Sequence, residues 1–240
     1  MNSINSKKLF AFTLAEVLIT LGIIGVIAAM TLPSVIANYK AVELHTRFMT
    51  AYSRIQEALQ KLEAEEGIKI TSDSYGNQQF RDKFMAQFQG AKDCGYGSGL
   101  NHEYLGCLPN PNLIENEEAT AVAEYKTYDG NTNVNLGFFD DGQFLMNNGM
   151  LILLENQNRG RLYISVDING YHQRPNRYGH DLFTFMITKD GRLVAGGDPK
   201  GDYSNSKSRW CSSSSSDSVN GIACAYYALI NKNYFKNLPK

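Results

Sequence analysis

The chain has 240 residues and lacks most signatures of a catalytic or nucleotide-binding protein. No Cys-x-x-Cys pair occurs, which argues against a zinc knuckle. Neither a His-Glu-x-x-His nor a Gly-x-Ser-x-Gly motif is present. No glycine-rich phosphate loop follows an apolar strand, so any ATP hydrolysis belongs to another protein. After Lys8 no strongly basic stretch appears, and nothing announces a nucleic-acid groove. Of the histidines His45, His102, His172 and His180, none has an evident acid–base partner in the sequence. No enzymatic activity is expected.

Charge is also scarce along one long stretch. From Phe12 to Ala37 the only formally charged residue is Glu16. About 20 apolar residues suffice to cross a bilayer core. Lys7 and Lys8 precede the run and no Lys follows before Lys40. By the positive-inside tendency the short N-terminus stays in the cytoplasm and the remainder faces out. A charge at mid-bilayer costs roughly 2.5–3.5 kcal/mol even on a mild insertion scale, and less near a helix end.

Three readings compete for this segment. A secretory signal peptide would be cut after Val35-Ile36-Ala37, but its apolar region would be long and would hold an acid. A plain signal anchor leaves Glu16 without a role. The third reading is a helix that assembles with copies of itself. A cut between Ala11 and Phe12 would place an α-amino group one turn before Glu16. The carboxylate of one subunit could then meet the amine of the next, fixing the register as a buried polar residue does in a coiled coil.

Lys7-Lys8, a short spacer, and Phe12-Thr13-Leu14-Ala15-Glu16-Val17-Leu18 before a long apolar run resemble the class III signal of type IV pilins and type II secretion pseudopilins. The resemblance implies that a prepilin peptidase cuts before Phe12 and methylates its amine, and that Glu16 serves filament assembly. Gly22, Gly25 and Pro33 fall where such proteins place helix-weakening residues. The residue before the cut is usually Gly, and here it is Ala11.

Beyond Pro33 a helical stripe resumes. Leu44, Phe48, Tyr52, Ile55, Leu59 and Leu62 step by three or four. Gly67 is a natural stop. The expected organisation is a leader at 1–11, a transmembrane and assembly helix at 12–37, its amphipathic continuation at 38–66, and an extracytoplasmic head at 67–240. A further helix is expected over 78–88, with Phe80, Phe84, Met85 and Phe88 on one face. The head then changes period. The runs "NVNLGFF", "QFLMN", "MLILLE", "RLYISVD", "LFTFMIT" and "RLVAGG" alternate with Asp-Gly and Asn-Gly turns. The fold class is therefore α+β: a long N-terminal helix on an antiparallel sheet of five or six strands, pilin-like in layout.

Four cysteines in a chain with an export signal favour disulfides over free thiols. Three pairings are open. The two local ones, Cys94–Cys107 and Cys211–Cys224, are preferred, each closing a short loop for roughly 3 kcal/mol. The serines of "CSSSSSDSVNGIAC" read as a solvent-facing loop pinned at its base.

The stretch "VDINGYHQRPNRYGHDLF" is rich in oxygen ligands. Asp167, Asn169 and Asp181 could hold Ca²⁺ if the loop folds back, or could form an Asx-rich turn bonded to its own backbone. The spacing is not that of an EF-hand. Asp167, Asn169, Gly170, Pro175, Asn176, Gly179, Asp181 and Phe183, with Cys224-Ala225-Tyr226-Tyr227, resemble the C-terminal part of a group of bacterial pilin-like proteins. Residues 67 to 135 resemble nothing we can name.

The resemblance implies an inner-membrane, single-pass subunit. Its partners would be other pilin-like subunits, the prepilin peptidase and an assembly platform, in a type II secretion pseudopilus or a type IV pilus. The competing class is a membrane-tethered or secreted binding protein whose head does the work.

Overall fold

A computed structural model describes residues 13–76, 78–96, 107–108, 125–157 and 160–239 of the chain. Ala11 and Phe12, on which the expected cleavage falls, lie outside the described residues, as does His102. The chain divides into two compact units, Met1–Ala41 and Val42–Lys240.

The first unit is helical from Leu14 onward. It holds the start of α1, which spans Leu14–Glu66. The helix runs without interruption through Gly22, Gly25 and Pro33. Residues 13–40 are all exposed, among them Leu14, Leu18, Ile24, Met30 and Val35. By length and composition this helix can cross a membrane. Among the described residues, nothing lies within 4 Å of a Cβ built at Gly22 or Gly25.

In the second unit, the rest of α1 buries one stripe. Phe48, Ile55, Leu59 and Leu62 lie in the core, while Leu44 and Tyr52 are half-buried. Ala51 and Ala58 join the buried face. Small side chains there let the helix approach the sheet closely. The Phe48 ring lies 4.6 Å from Phe183 and 5.8 Å from both Phe185 and Phe235. Burying such a side chain contributes about 1.5–3 kcal/mol. Gly67 ends the helix at positive φ, its N–H donating to Glu63 O.

The sheet is a six-stranded antiparallel meander in sequence order: β1 (Lys92–Asp93), β2 (Gln143–Leu145), β3 (Leu151–Gln157), β4 (Arg161–Asp167), β5 (Leu182–Ile187) and β6 (Leu193–Ala195). Strands β4 and β5 are buried on both faces, apart from Arg161 at the start of β4. Val166 and Ile164 pair with Phe183 and Phe185. A second cluster holds Tyr125, Phe139, Leu151, Leu153, Tyr178, Leu182 and Ile222, and a smaller one Tyr163, Met186 and Val194. An α+β layout with a long apolar N-terminal helix is thus present.

Two expected elements differ. "NVNLGFF" does not form a strand. Asn135 Oδ1 accepts the Gly137 N–H, Asn135 N donates to Ser218 O, and a short 3₁₀ turn forms over Leu136–Phe138. Asn side chains compete with the ladder in this way. The outer strand is instead β1, far upstream. The helix expected over 78–88 is shorter, α2 at Phe80–Met85. Its last part unwinds into turns that keep Phe88 against Phe144, with ring centroids 5.3 Å apart. Two short helices follow the sheet, α3 (Lys207–Trp210) and α4 (Cys224–Ile230).

Candidate functional site

Two places carry the chemistry that the sequence singles out: the first turn of α1, and the loop joining β4 to β5.

Thr13 precedes the first helical residue, and three positions later stands Glu16. The Thr13 Oγ1 accepts the Glu16 N–H at 3.2 Å. In return Glu16 Oε2 accepts the Thr13 N–H at 2.9 Å and the Thr13 hydroxyl at 2.8 Å. This is a reciprocal capping box, which satisfies two of the helix's free N–H groups. Glu16 therefore has a partner within its own chain. The motif Thr-x-x-Glu was visible in the sequence, but the sequence reading gave Glu16 an intermolecular role alone.

The β4–β5 connection brings Asp167, Asn169 and Asp181 together. Asp167 ends β4, Asp181 immediately precedes β5, and the Ile168 N–H donates to Asp181 O at 2.8 Å. Asp167 Oδ1 accepts the N–H groups of Asn169 (3.2 Å) and Gly170 (2.8 Å). Its Oδ2 accepts the Tyr125 hydroxyl at 2.5 Å. Asp181 Oδ1 accepts Arg177 N–H at 2.6 Å. Asp181 Oδ2 accepts Asn176 N–H at 2.9 Å and Asn169 Nδ2 at 3.3 Å. Asn169 thus touches both carboxylates. Gly170 is at positive φ, and a Cβ there would run into the carbonyl of Gly149.

Both carboxylates are fully buried. Burial raises both carboxyl pKa values above the ordinary aspartate range, and the Asp181 charge adds to the effect at Asp167. Next to them, His180 is pushed down to about 3, by burial first and then by the Arg177 charge. Its ring lies 5.7 Å from that of Tyr128. Sequence reasoning missed Tyr125 and Asn176 as members of this network. Asn176 was legible as part of a motif, whereas Tyr125 is 42 residues from its partner and carried no local signal.

The described residues hold a second acidic group. One carboxylate oxygen from each of Asp140, Asp141 and Glu155 lies within 4.8 Å of the others. Burial raises the pKa of Asp141, and the Asp140 charge adds to it.

Both local disulfides are formed, Cys94–Cys107 and Cys211–Cys224. Between the second pair, Asn220 is fully buried and organises the serine loop. Its Nδ2 donates to Ser212 O and Ser215 O, each at 2.8 Å, and its Oδ1 accepts the Ser212 N–H at 3.1 Å. The disulfides point to an oxidising, extracytoplasmic compartment for the second unit.

No known protein family, no curated protein and no solved structure matches the chain.

Proposed function

We propose that this chain is a structural subunit of a pilin-like filament, with a type II secretion pseudopilus favoured over a type IV pilus. A prepilin peptidase cuts between Ala11 and Phe12 and methylates the new amine. The mature subunit waits in the bacterial inner membrane, head outside, and enters the filament through α1. Glu16 then leaves its own Thr13 and accepts the Phe12 amine of a neighbour. A separate cytoplasmic motor supplies the work.

One observation carries this reading. Leu14–Ile36 presents apolar side chains on every side of the helix, with a single carboxylate in its first turn. An anchor needs only the first feature. A polymer held in register uses both.

The capping box favours a second reading, in which Glu16 merely starts the helix of an anchored or secreted binding protein. Filament yield in the native host separates the two. Filament assembly predicts that Glu16→Ala abolishes polymerisation while the head stays folded and disulfide-bonded. Unchanged polymer, or none in the wild type, would favour the binding protein.

A further inference from the structure

One end of the second unit gathers positive charge that no free acid balances. After Asp217 the sequence runs to Lys240 without an acid, and none stands between Asp167 and Asp181. The fold packs these two stretches together. The Tyr234 hydroxyl donates to Gly179 O at 2.8 Å, and Arg177 Nη1 donates to Pro239 O at 3.4 Å. Both stretches meet the part of α1 that enters this unit. The Phe235 ring lies 5.9 Å from that of His45, and Arg47 Nη1 donates to Ile168 O at 3.4 Å.

Arg174, Lys232 and Lys236 are all exposed at this end. Among the described residues none of the three has a hydrogen bond or an ion pair. The acids nearby are engaged: Glu43 pairs with Arg47, Asp129 accepts the hydroxyls of Thr127 and Thr132, and Asp167 and Asp181 are buried. Towards the other end of α1 the pattern reverses, since Lys61, Lys69 and Lys83 each bond a glutamate. A second observation is apolar. Ile230, the last residue of α4 and two before Lys232, is 60% exposed.

Chain connectivity identifies the partner. Six residue steps separate Ile36, at the end of the apolar run, from Val42, the first residue of this unit. Whatever path the chain takes, those steps span at most about 20 Å. A bilayer crossed by α1 is therefore always within reach of this unit, and binding to it is intramolecular, so that a weak surface suffices.

We propose that this end of the unit docks on the anionic phospholipid surface of the membrane that α1 crosses, with Arg174, Lys232 and Lys236 against headgroup phosphates and Ile230 entering the interface. The proposal rests on α1 spanning a bilayer and holds with or without a filament. Each Lys or Arg held near an anionic leaflet favours the bound state about fivefold, so three together favour it about a hundredfold. Ile230 adds apolar burial at the headgroup boundary. A neighbouring subunit that lifts the head from the bilayer has to replace these contacts.

The test reconstitutes the full chain, disulfides intact, into vesicles of phosphatidylcholine alone or with about 30% phosphatidylglycerol. Flotation with the vesicles checks that α1 is inserted. A water-soluble amine reagent then reads each lysine by mass spectrometry. In the anionic vesicles Lys232 and Lys236 should react about fivefold more slowly or less than in the neutral ones. Lys189 and Lys200, exposed elsewhere on the unit, should react equally in both. High salt should restore the reactivity of Lys232 and Lys236, because it screens the attraction. Arg174→Gln combined with Lys236→Gln, two exposed and unbonded positions, should restore that of Lys232 at low salt. Equal reactivity in the two kinds of vesicle would overturn the proposal. So would slowing shared by Lys189 and Lys200, which reports surface potential alone, or slowing that grows with the protein-to-lipid ratio, which reports contact between copies. Chains that fail to float would overturn the membrane-spanning reading itself, and this proposal with it.

Discussion

Thr13 and Glu16 hold one another at the start of α1, the hydroxyl accepting from one backbone N–H and the carboxylate from the other. In a lone subunit this pairing keeps the acid satisfied at low cost. In the filament we propose, the same carboxylate would exchange it for a neighbour's amine. The two roles predict different mutants. Glu16→Ala and Glu16→Gln should both stop polymerisation, because each removes the charge. Thr13→Val removes only the cap hydroxyl, at about 1 kcal/mol of local helix stability, and should leave polymer formation intact. Equal loss of polymer in Thr13→Val and Glu16→Ala would mean that capping is all that Glu16 does.

How far the sequence foretold this arrangement varies by element. The stripe Phe48, Ile55, Leu59 and Leu62 and the strands β3, β4 and β5 were legible, because periodicity and burial coincide there. Strand β1 was not: Lys92 and Asp93 are both exposed, and only pairing with Leu145 and Phe144 makes them a strand. Residues 133–139 carried a strand's composition but fold around Asn135. In the β4–β5 loop the motif exposed Asp167, Asn169 and Asp181. The Tyr125 contact needed the third dimension, since that residue arrives from across the fold.

The anchoring of α1 on the sheet depends on one ring. Phe48 is fully buried and meets Phe183, Phe185 and Phe235. Phe48→Ala should destabilise the second unit by about 3–5 kcal/mol, through lost transfer energy and the cavity left behind. Urea unfolding followed by near-ultraviolet circular dichroism measures this. Phe48→Leu should cost clearly less.

Stability should fall on the acid side because of His180. Its folded pKa, about 3, lies below the ordinary value near 6.5. The unfolded chain therefore takes up the proton first, and stability is lost as pH falls from about 6.5 towards 3. The effect is on the order of a few kcal/mol at most. The buried Asp167 and Asp181 act in the opposite sense. Their folded pKa values are raised, so their protonated forms favour folding at low pH, and that contribution is lost as pH rises above about 4. Denaturant midpoints for the wild type and His180→Gln across this range separate the two. The variant should lose less stability on acidification, and an unchanged profile would contradict the assignment.

The serine loop is held by its centre as well as its base. Asn220→Ala deletes three hydrogen bonds in a fully buried position and should cost about 2–3 kcal/mol. It should also open 212–218 to proteolysis while Cys211–Cys224 stays formed. Ser213→Ala, at an exposed position, should have no measurable effect.

The most direct test of filament membership is the intact mass and N-terminal residue of the protein extracted from the membranes of its native host. Our account predicts a chain that begins at Phe12 with a methylated amine. A chain that begins at Met1, or at Asn38 after Ala37, would contradict it.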